Sequence, residues 1–294
     1  AMHQIVLDDL VRSGRFVAQP MAPGVATLSS GSAVNFARWA HTTYLAVGDV
    51  SAGASGDLQV RFRLFDVTTR QELRGLGYQR SLSEYRITAH DIADEIYETV
   101  TTESGAFSSR LAYITEQRGG KERIYSLNVA DSDGYNANVM LQSRQPIMSP
   151  SWSPDGNRLA YVSFEQQRAQ IWVQELSSRQ RYVAAEYPGL NQAPAFSPDG
   201  TRLAMALSKD GNAEIYVLHL RTKKLTRLTN HAAIDTEPAW RPDGRALVFT
   251  SGRSGSPQIY QVSANGGPVK RVTFEGAYNA GASYSPDATR LAVV

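Results

Sequence analysis

The chain has 294 residues, 42% of them hydrophobic and 20% charged, which is ordinary for a globular protein and excludes disorder as its general state. Thirty basic against 28 acidic residues leave a net charge of +2 without any run of five or six like charges, so neither nucleic acid nor an anionic membrane is indicated as a partner. No cysteine is present, which removes disulfides, thiolate metal sites and a cysteine nucleophile, and no apolar run approaches the roughly 20 residues of a membrane-spanning helix.

The first ten residues, AMHQIVLDDL, carry no signal-peptide pattern, so export implies a leader already removed, and Ala1-Met2 is compatible with a cloning remnant. Ile5, Leu7, Leu10 and Val11 fall near helical spacing and stop at Ser13-Gly14, which predicts a first helix. VNFARWA (34–40) reads as a second, short helix. TYLAVGDV and LQVRFRLFDVTT read as strands, the latter with Val60, Phe62 and Leu64 on one face and Arg61 and Arg63 on the other. In ITAHDIADEIYETV, Thr88 and Asp91 form a capping-box-like start, and Ile92, Ile96 and Val100 make an apolar stripe. Asp91, Asp94, Glu95 and Glu98 then form the solvated face of that helix, and His90 is a packing or surface residue. These pieces predict a small α/β domain over residues 1–104, with TTESGAF (101–107) as the junction.

From residue 105 the grammar changes. SWSPDG (151–156) returns as AFSPDG, AWRPDG and SYSPDA, and Pro154, Pro198, Pro242 and Pro286 stand 44 residues apart. The columns Trp152, Phe196, Trp240, Tyr284 and Leu159, Leu203, Leu247, Leu291 keep the same step, as do Ile171, Ile215 and Ile259. Each repeat holds about four strands, the content of a propeller blade, and Pro-Asp-Gly is the tight turn between the first two. The aromatic before the turn should pack between neighbouring sheets, worth on the order of 1.5 to 3 kcal/mol when buried. SRLAYI and RIYSLNV match the second and third strand phrases with no turn before them, so residues 105–294 supply about four and a half blades.

Catalytic motifs are missing. There is no G-x-S-x-G, no H-E-x-x-H and no P-loop, and Gly75-Leu76-Gly77 lacks the third glycine of a dinucleotide fingerprint. His3, His41, His90, His219 and His231 lack ligand spacing. Asp131-Ser132-Asp133-Gly134 opens like a calcium loop but has no glutamate at the twelfth position, so it reads as a plain hairpin turn. Asp155, Asp199, Asp243 and Asp287 recur with the turn, as structural residues do. The expectation is a protein that is not an enzyme and has no cofactor, beyond an incidental metal ion in the channel.

The repeats differ in the linkers QPIMSP, GLNQAP, IDTEP and AYNAGA, and variable loops at one channel mouth usually carry recognition. Asn191, Gln192, Asp235, Thr236, Glu237 and Asn279, with Met148 and Tyr278 as apolar anchors, are the expected partner-binding set, suited to a protein or peptide ligand.

The phrases DDLVRSGRF, HDIADEIYETVTTESGAFSSRLAYI, DSDGYN, QPIMSPSWSPDGNRLAYVSFE, NQAPAFSPDGTRLAMALSK, TEPAWRPDGRALVFTS and PQIYQVSANGG resemble the TolB family, the propeller component of the Tol/Pal cell-envelope system of Gram-negative bacteria. The resemblance runs over nearly the whole chain and implies an N-terminal α/β domain before a six-bladed propeller, with the opening strand of the small domain and the last blade and a half lying outside these 294 residues. It also implies a non-enzymatic periplasmic adaptor that touches membranes through its partners only. The propeller would bind the peptidoglycan-associated lipoprotein Pal, the N-terminal domain would communicate with TolA, and colicin translocation segments would exploit the channel mouth. The competing reading is a propeller that gates a peptidase; it requires a hydrolase domain, for which the first hundred or so residues contain no nucleophile elbow. A propeller holding a small ligand or metal in its channel is the third alternative.

Overall fold

A computed structural model describes residues 2–19, 34–53, 56–120 and 122–294. The chain divides into two compact units, one comprising 1–111 with 130–136, the other 112–129 with 137–294.

The first unit begins with helix α1 (Met2–Arg12), followed by a short 3₁₀ turn, Phe36–Trp39, where helix is expected; the Asn35 side chain caps it by accepting from the Ala37 N–H at 3.2 Å. Strands β1 (Tyr44–Ala52), β2 (Leu58–Asp66) and β3 (Gln71–Arg80) form an antiparallel sheet in that order, and the Gly75–Gly77 stretch lies inside β3. Val60, Phe62 and Leu64 pack with Leu10, Ile92, Ala93 and Ile96 on one face of β2, while Phe65 joins Leu45, Val47 and Val67 in a second cluster. Helix α2 spans Tyr85–Thr101, starting earlier than its apolar stripe suggests. The capping box is Ser81 with Glu84, in a 3₁₀ turn that runs into α2; Thr88 is inside the helix, its hydroxyl donating to the Glu84 carbonyl at 2.9 Å.

The acidic face of α2 is not simply solvated, because Asp91 pairs with Arg80 at 2.6 Å and Glu95 with Arg74 at 2.8 Å. Asp94 accepts the backbone N–H groups of Phe107 at 2.7 Å and Ser108 at 2.9 Å, fixing the segment that leaves the helix.

The second unit is a series of antiparallel meanders. β4 (Arg110–Gly119), β5 (Glu122–Asp131) and β6 (Asn138–Ser143) make a three-stranded sheet. Three four-stranded sheets follow: β7 (Ile147–Trp152) to β10 (Arg181–Ala185), β11 (Asn191–Phe196) to β14 (Leu225–Arg227), and β15 (Asp235–Trp240) to β18 (Lys270–Arg271). β19 (Ser283–Tyr284) and β20 (Leu291–Ala292) form the last pair. The core lies between successive sheets: Val162, Ile171 and Val173 of one pack with Phe196, Met205 and Tyr216 of the next, and Ala204, Ile215 and Val217 pack in turn with Trp240, Phe249 and Tyr260. This is the expected fold class, an α/β unit before a partial β-propeller.

Candidate functional site

The turns behave as joints. Ser153 donates from its hydroxyl to Asp155 Oδ1 at 2.5 Å and accepts from the Arg158 N–H at 2.9 Å, and Asp155 accepts from the Asn157 N–H at 3.1 Å. Ser197 with Asp199 and Ser285 with Asp287 repeat the arrangement. In the first of these the Ser153 hydroxyl, followed by the Asn157 N–H, holds the Asp155 carboxyl below its ordinary value. In Asp155 and Asp199 the turn's bonds all fall on Oδ1, so these carboxylates serve to close the turn.

At the start of each blade the first strand breaks register: between Met148 and Ser151, between Gln192 and Ala195, and between Thr236 and Ala239. The extra residue takes the left-handed conformation at Ser149 (φ 52), Ala193 (φ 49) and Glu237 (φ 53), and Gly281 (φ 59) occupies the equivalent place in the last pair. Three of these four are not glycine, so a costly backbone conformation is repeated around the ring. These residues and the prolines after them line a cavity of about 240 Å³ with Gly281 and Ala282. A second, of about 270 Å³, follows along the same strands between Trp152, Phe196, Trp240 and Tyr284. Together they mark a channel walled by β7, β11, β15 and β19.

The residues expected to ring the channel mouth divide into two groups. Met148 and Tyr278 are exposed, 44% and 62%, as is Glu237, while Gln192 and Thr236 are half-buried and bonded across blades, the Gln192 amide donating to the Thr236 hydroxyl at 3.1 Å. Glu237 is partly engaged, accepting from Thr250 at 2.8 Å and from the Gly281 N–H at 3.0 Å.

Asn191 and Asp235 do not meet the expectation, since both are wholly buried. Asn191 holds its own loop by accepting from the Tyr187 N–H at 2.9 Å and donating to the Tyr187 carbonyl at 2.7 Å. Asp235 accepts from Arg253 at 2.6 Å. Asn279, at the same register, is half-buried and donates to Gln258 at 3.0 Å and to the Glu275 carbonyl at 2.8 Å. All three are loop anchors, and each projects its predecessor outward: Leu190, Ile234 and Tyr278 are 48%, 59% and 62% exposed. Leu190 and Ile234 escape a reading that looks for polar variety, although the 44-residue step that identifies Tyr278 also reaches them.

An α/β unit followed by antiparallel blades around a strand-lined channel defines a β-propeller protein with an appended domain. A family model described as the TolB beta propeller domain matches residues 97–294, and one described as the TolB amino-terminal domain matches residues 1–73. The chain belongs to the TolB family. It is 48% identical over 194 residues to the Tol-Pal system protein TolB of Nitrosococcus oceani, a match covering 64% of this chain and 44% of that protein. The Tol-Pal system protein TolB of Xanthomonas campestris pv. campestris is 48% identical over 191 residues, with the same coverage. The matched stretch thus spans less than half the length of these curated relatives. The crystal structure of TolB from Acinetobacter baumannii matches all of this chain and 73% of its own, at a TM-score of 0.91 and 38% identity. A putative TolB from Agrobacterium tumefaciens, 17% identical with a TM-score of 0.55 over 86% of this chain and 91% of that one, shares the fold. Among the described residues no helix is long and apolar enough to cross a membrane.

Proposed function

We propose that the protein is a non-enzymatic periplasmic adaptor of the Tol-Pal system. The loops at one end of its propeller channel bind the lipoprotein Pal, the N-terminal domain communicates with TolA, and the assembly supports outer-membrane integrity and constriction at division. Colicin translocation segments compete for the same mouth. The carrying observation is the row of exposed apolar side chains, Leu190, Ile234 and Tyr278, at one register of three successive loops, beside Met148 and the polar Gln192, Thr236 and Glu237. Anchors held up by buried loop residues lose little freedom on binding, and a few such anchors carry most of an interface's energy. The aspartates that recur with the 44-residue step close turns through Oδ1, a structural use repeated from blade to blade.

Calorimetric titration of soluble Pal into a chain extended to the length of its relatives tests this. The expected result is one-to-one binding that weakens by tenfold or more in Ile234→Asp. Absence of binding by the unsubstituted protein would overturn the reading.

A further inference from the structure

The first unit contains a buried histidine of which the fold uses one ring nitrogen and leaves the other over. His90 is wholly buried in α2, and its Nδ1 lies 2.5 Å from Oδ2 of Asp9, itself 1% exposed. The other ring nitrogen, Nε2, is buried without any hydrogen-bond partner. His90, Asp131 and Asp133 each offer a ligand atom, and these atoms all lie within 4.8 Å of one another.

We propose that His90, Asp131 and Asp133 bind a divalent cation of the zinc class, with Asp9 as the carboxylate that orients the imidazole. A neutral imidazole that donates from Nδ1 to Asp9 keeps its lone pair on Nε2, and leaving that acceptor buried and unpaired is costly. A metal ion satisfies it. The arrangement of carboxylate, histidine and metal is the usual way a ligating histidine is held in one tautomer. Around a tetrahedral zinc, nitrogen and oxygen ligands near 2.1 Å stand about 3.4 Å apart, so three groups within 4.8 Å of one another need to close by about 1.4 Å at most. The adjustment falls on Asp131 and Asp133, which sit in the turn closed by the Gly134 N–H donating to the Asp131 carbonyl at 2.8 Å. Asp133 stands on the exposed turn with its side chain 20% accessible, which leaves a solvent side for a water as fourth ligand.

The surroundings are prepared for added positive charge. Asp131 accepts from Arg86 at 3.2 Å and from the Asn136 amide at 3.1 Å; Asp133 accepts from Arg86 at 2.5 Å and from the Tyr135 N–H at 3.0 Å. Asp9 accepts from Arg12 at 2.5 Å. Three carboxylates against two guanidinium groups leave one negative charge when the imidazole is neutral. Arg86 stands in for the cation in its absence, and its ring contact with Tyr135, 3.9 Å from the centroid, gives it a resting place when the carboxylates turn to a metal. The turn is still no calcium loop; the imidazole selects a softer ion.

The test is calorimetric titration of zinc chloride into the metal-stripped chain near pH 7.5, with cobalt absorption as a second readout. Expected are one zinc per chain, a loss of affinity of at least tenfold in Asp133→Asn, and a tenfold to hundredfold loss in Asp9→Asn, which removes no ligand. Zinc should raise the melting temperature of the unsubstituted chain more than that of Asp133→Asn. Absence of zinc binding overturns the proposal. So does zinc affinity unchanged in Asp133→Asn, which would assign the ion to surface histidines. His90→Gln should abolish binding; should that buried substitution fail to fold, Asp133→Asn, at the exposed turn, decides the matter alone.

Discussion

Glu214 is wholly buried, yet it accepts from Thr229 Oγ1 at 2.6 Å, from the His231 N–H at 2.6 Å and from Arg227 at 3.1 Å. In the neighbouring blades the same register holds Gln170 and Gln258, both buried, and Gln258 accepts from Thr273 at 2.8 Å. Gln170 reaches its loop the other way, its amide donating to Glu186 at 2.8 Å, so a buried polar side chain at the start of the third strand ties down the loop leading to the next blade. Glu214→Ala should destabilise the protein by about 1–3 kcal/mol in chemical denaturation, because it takes the acceptor from the Thr229 hydroxyl and the His231 N–H, while Arg227 keeps the Thr229 carbonyl and Asn230. Glu214→Gln should cost much less, as the neighbouring blades already use glutamine. Equal losses for the two would refute the loop-tie role. At this scale the sequence is only half legible. The Ser-x-Asp turn can be read because its hydrogen bonds close within five residues, whereas the Asp235 partner, Arg253, lies 18 residues away, so Asp235 reads as a surface group until the strands are paired.

Between elements, successive blades are fastened by an arginine that repeats with the turn. Arg158 donates to the Gly200 carbonyl at 3.3 Å and lies 5.3 Å from the Phe196 ring centroid; Arg202 donates to the Gly244 carbonyl at 3.3 Å and lies 4.6 Å from that of Trp240. Gly200 needs its left-handed φ of +66 for the turn, and a Cβ there would also come within 3.3 Å of the Arg158 guanidinium. The aromatic column is legible from its 44-residue step, and Phe196 and Trp240 are indeed buried between sheets at 8% exposure. The arginine is not, because its partners belong to the following blade and an arginine beside a turn usually faces solvent. The left-handed ring at Ser149, Ala193 and Glu237 is equally silent, since only Gly281 announces such a backbone in its letters. Arg202→Leu keeps the apolar stem but loses the carbonyl bond and the ring contact, so it should destabilise by about 1–2 kcal/mol. Arg245→Leu, one residue out of the fastening register, should cost less than about 0.5 kcal/mol in the same urea titration.

Across the whole molecule, the repeat makes a set of small effects act in one direction. The repeat length, the blade count and the α/β unit are all legible in the sequence, because a period and an apolar stripe need no knowledge of tertiary partners. Hydrogen bonds from Ser153 and Ser285, each joined by a backbone N–H, hold Asp155 and Asp287 below their ordinary values, Asp287 at about 2. At Asp199 burial raises the pKa, but the hydrogen bonds from Ser197 and Thr201 outweigh it and the net shift is downward. A carboxyl whose folded pKa lies below an unfolded value near 3.9 stabilises the fold fully above that value and loses this contribution as pH falls through the folded pKa. Three such turns therefore predict that the urea midpoint falls between about pH 4 and pH 2. The combined variant Ser153→Ala, Ser197→Ala, Ser285→Ala should be less stable at pH 5 yet lose less on acidification, because its aspartates titrate nearer the unfolded value. The difference between the two curves isolates the turns from carboxylates elsewhere, including Asp9, whose pKa burial drives upward against the opposing pull of His90 and Arg12. Parallel curves for the variant and the unsubstituted chain would show that the repeated Ser-x-Asp turn fixes geometry alone and contributes nothing to acid sensitivity.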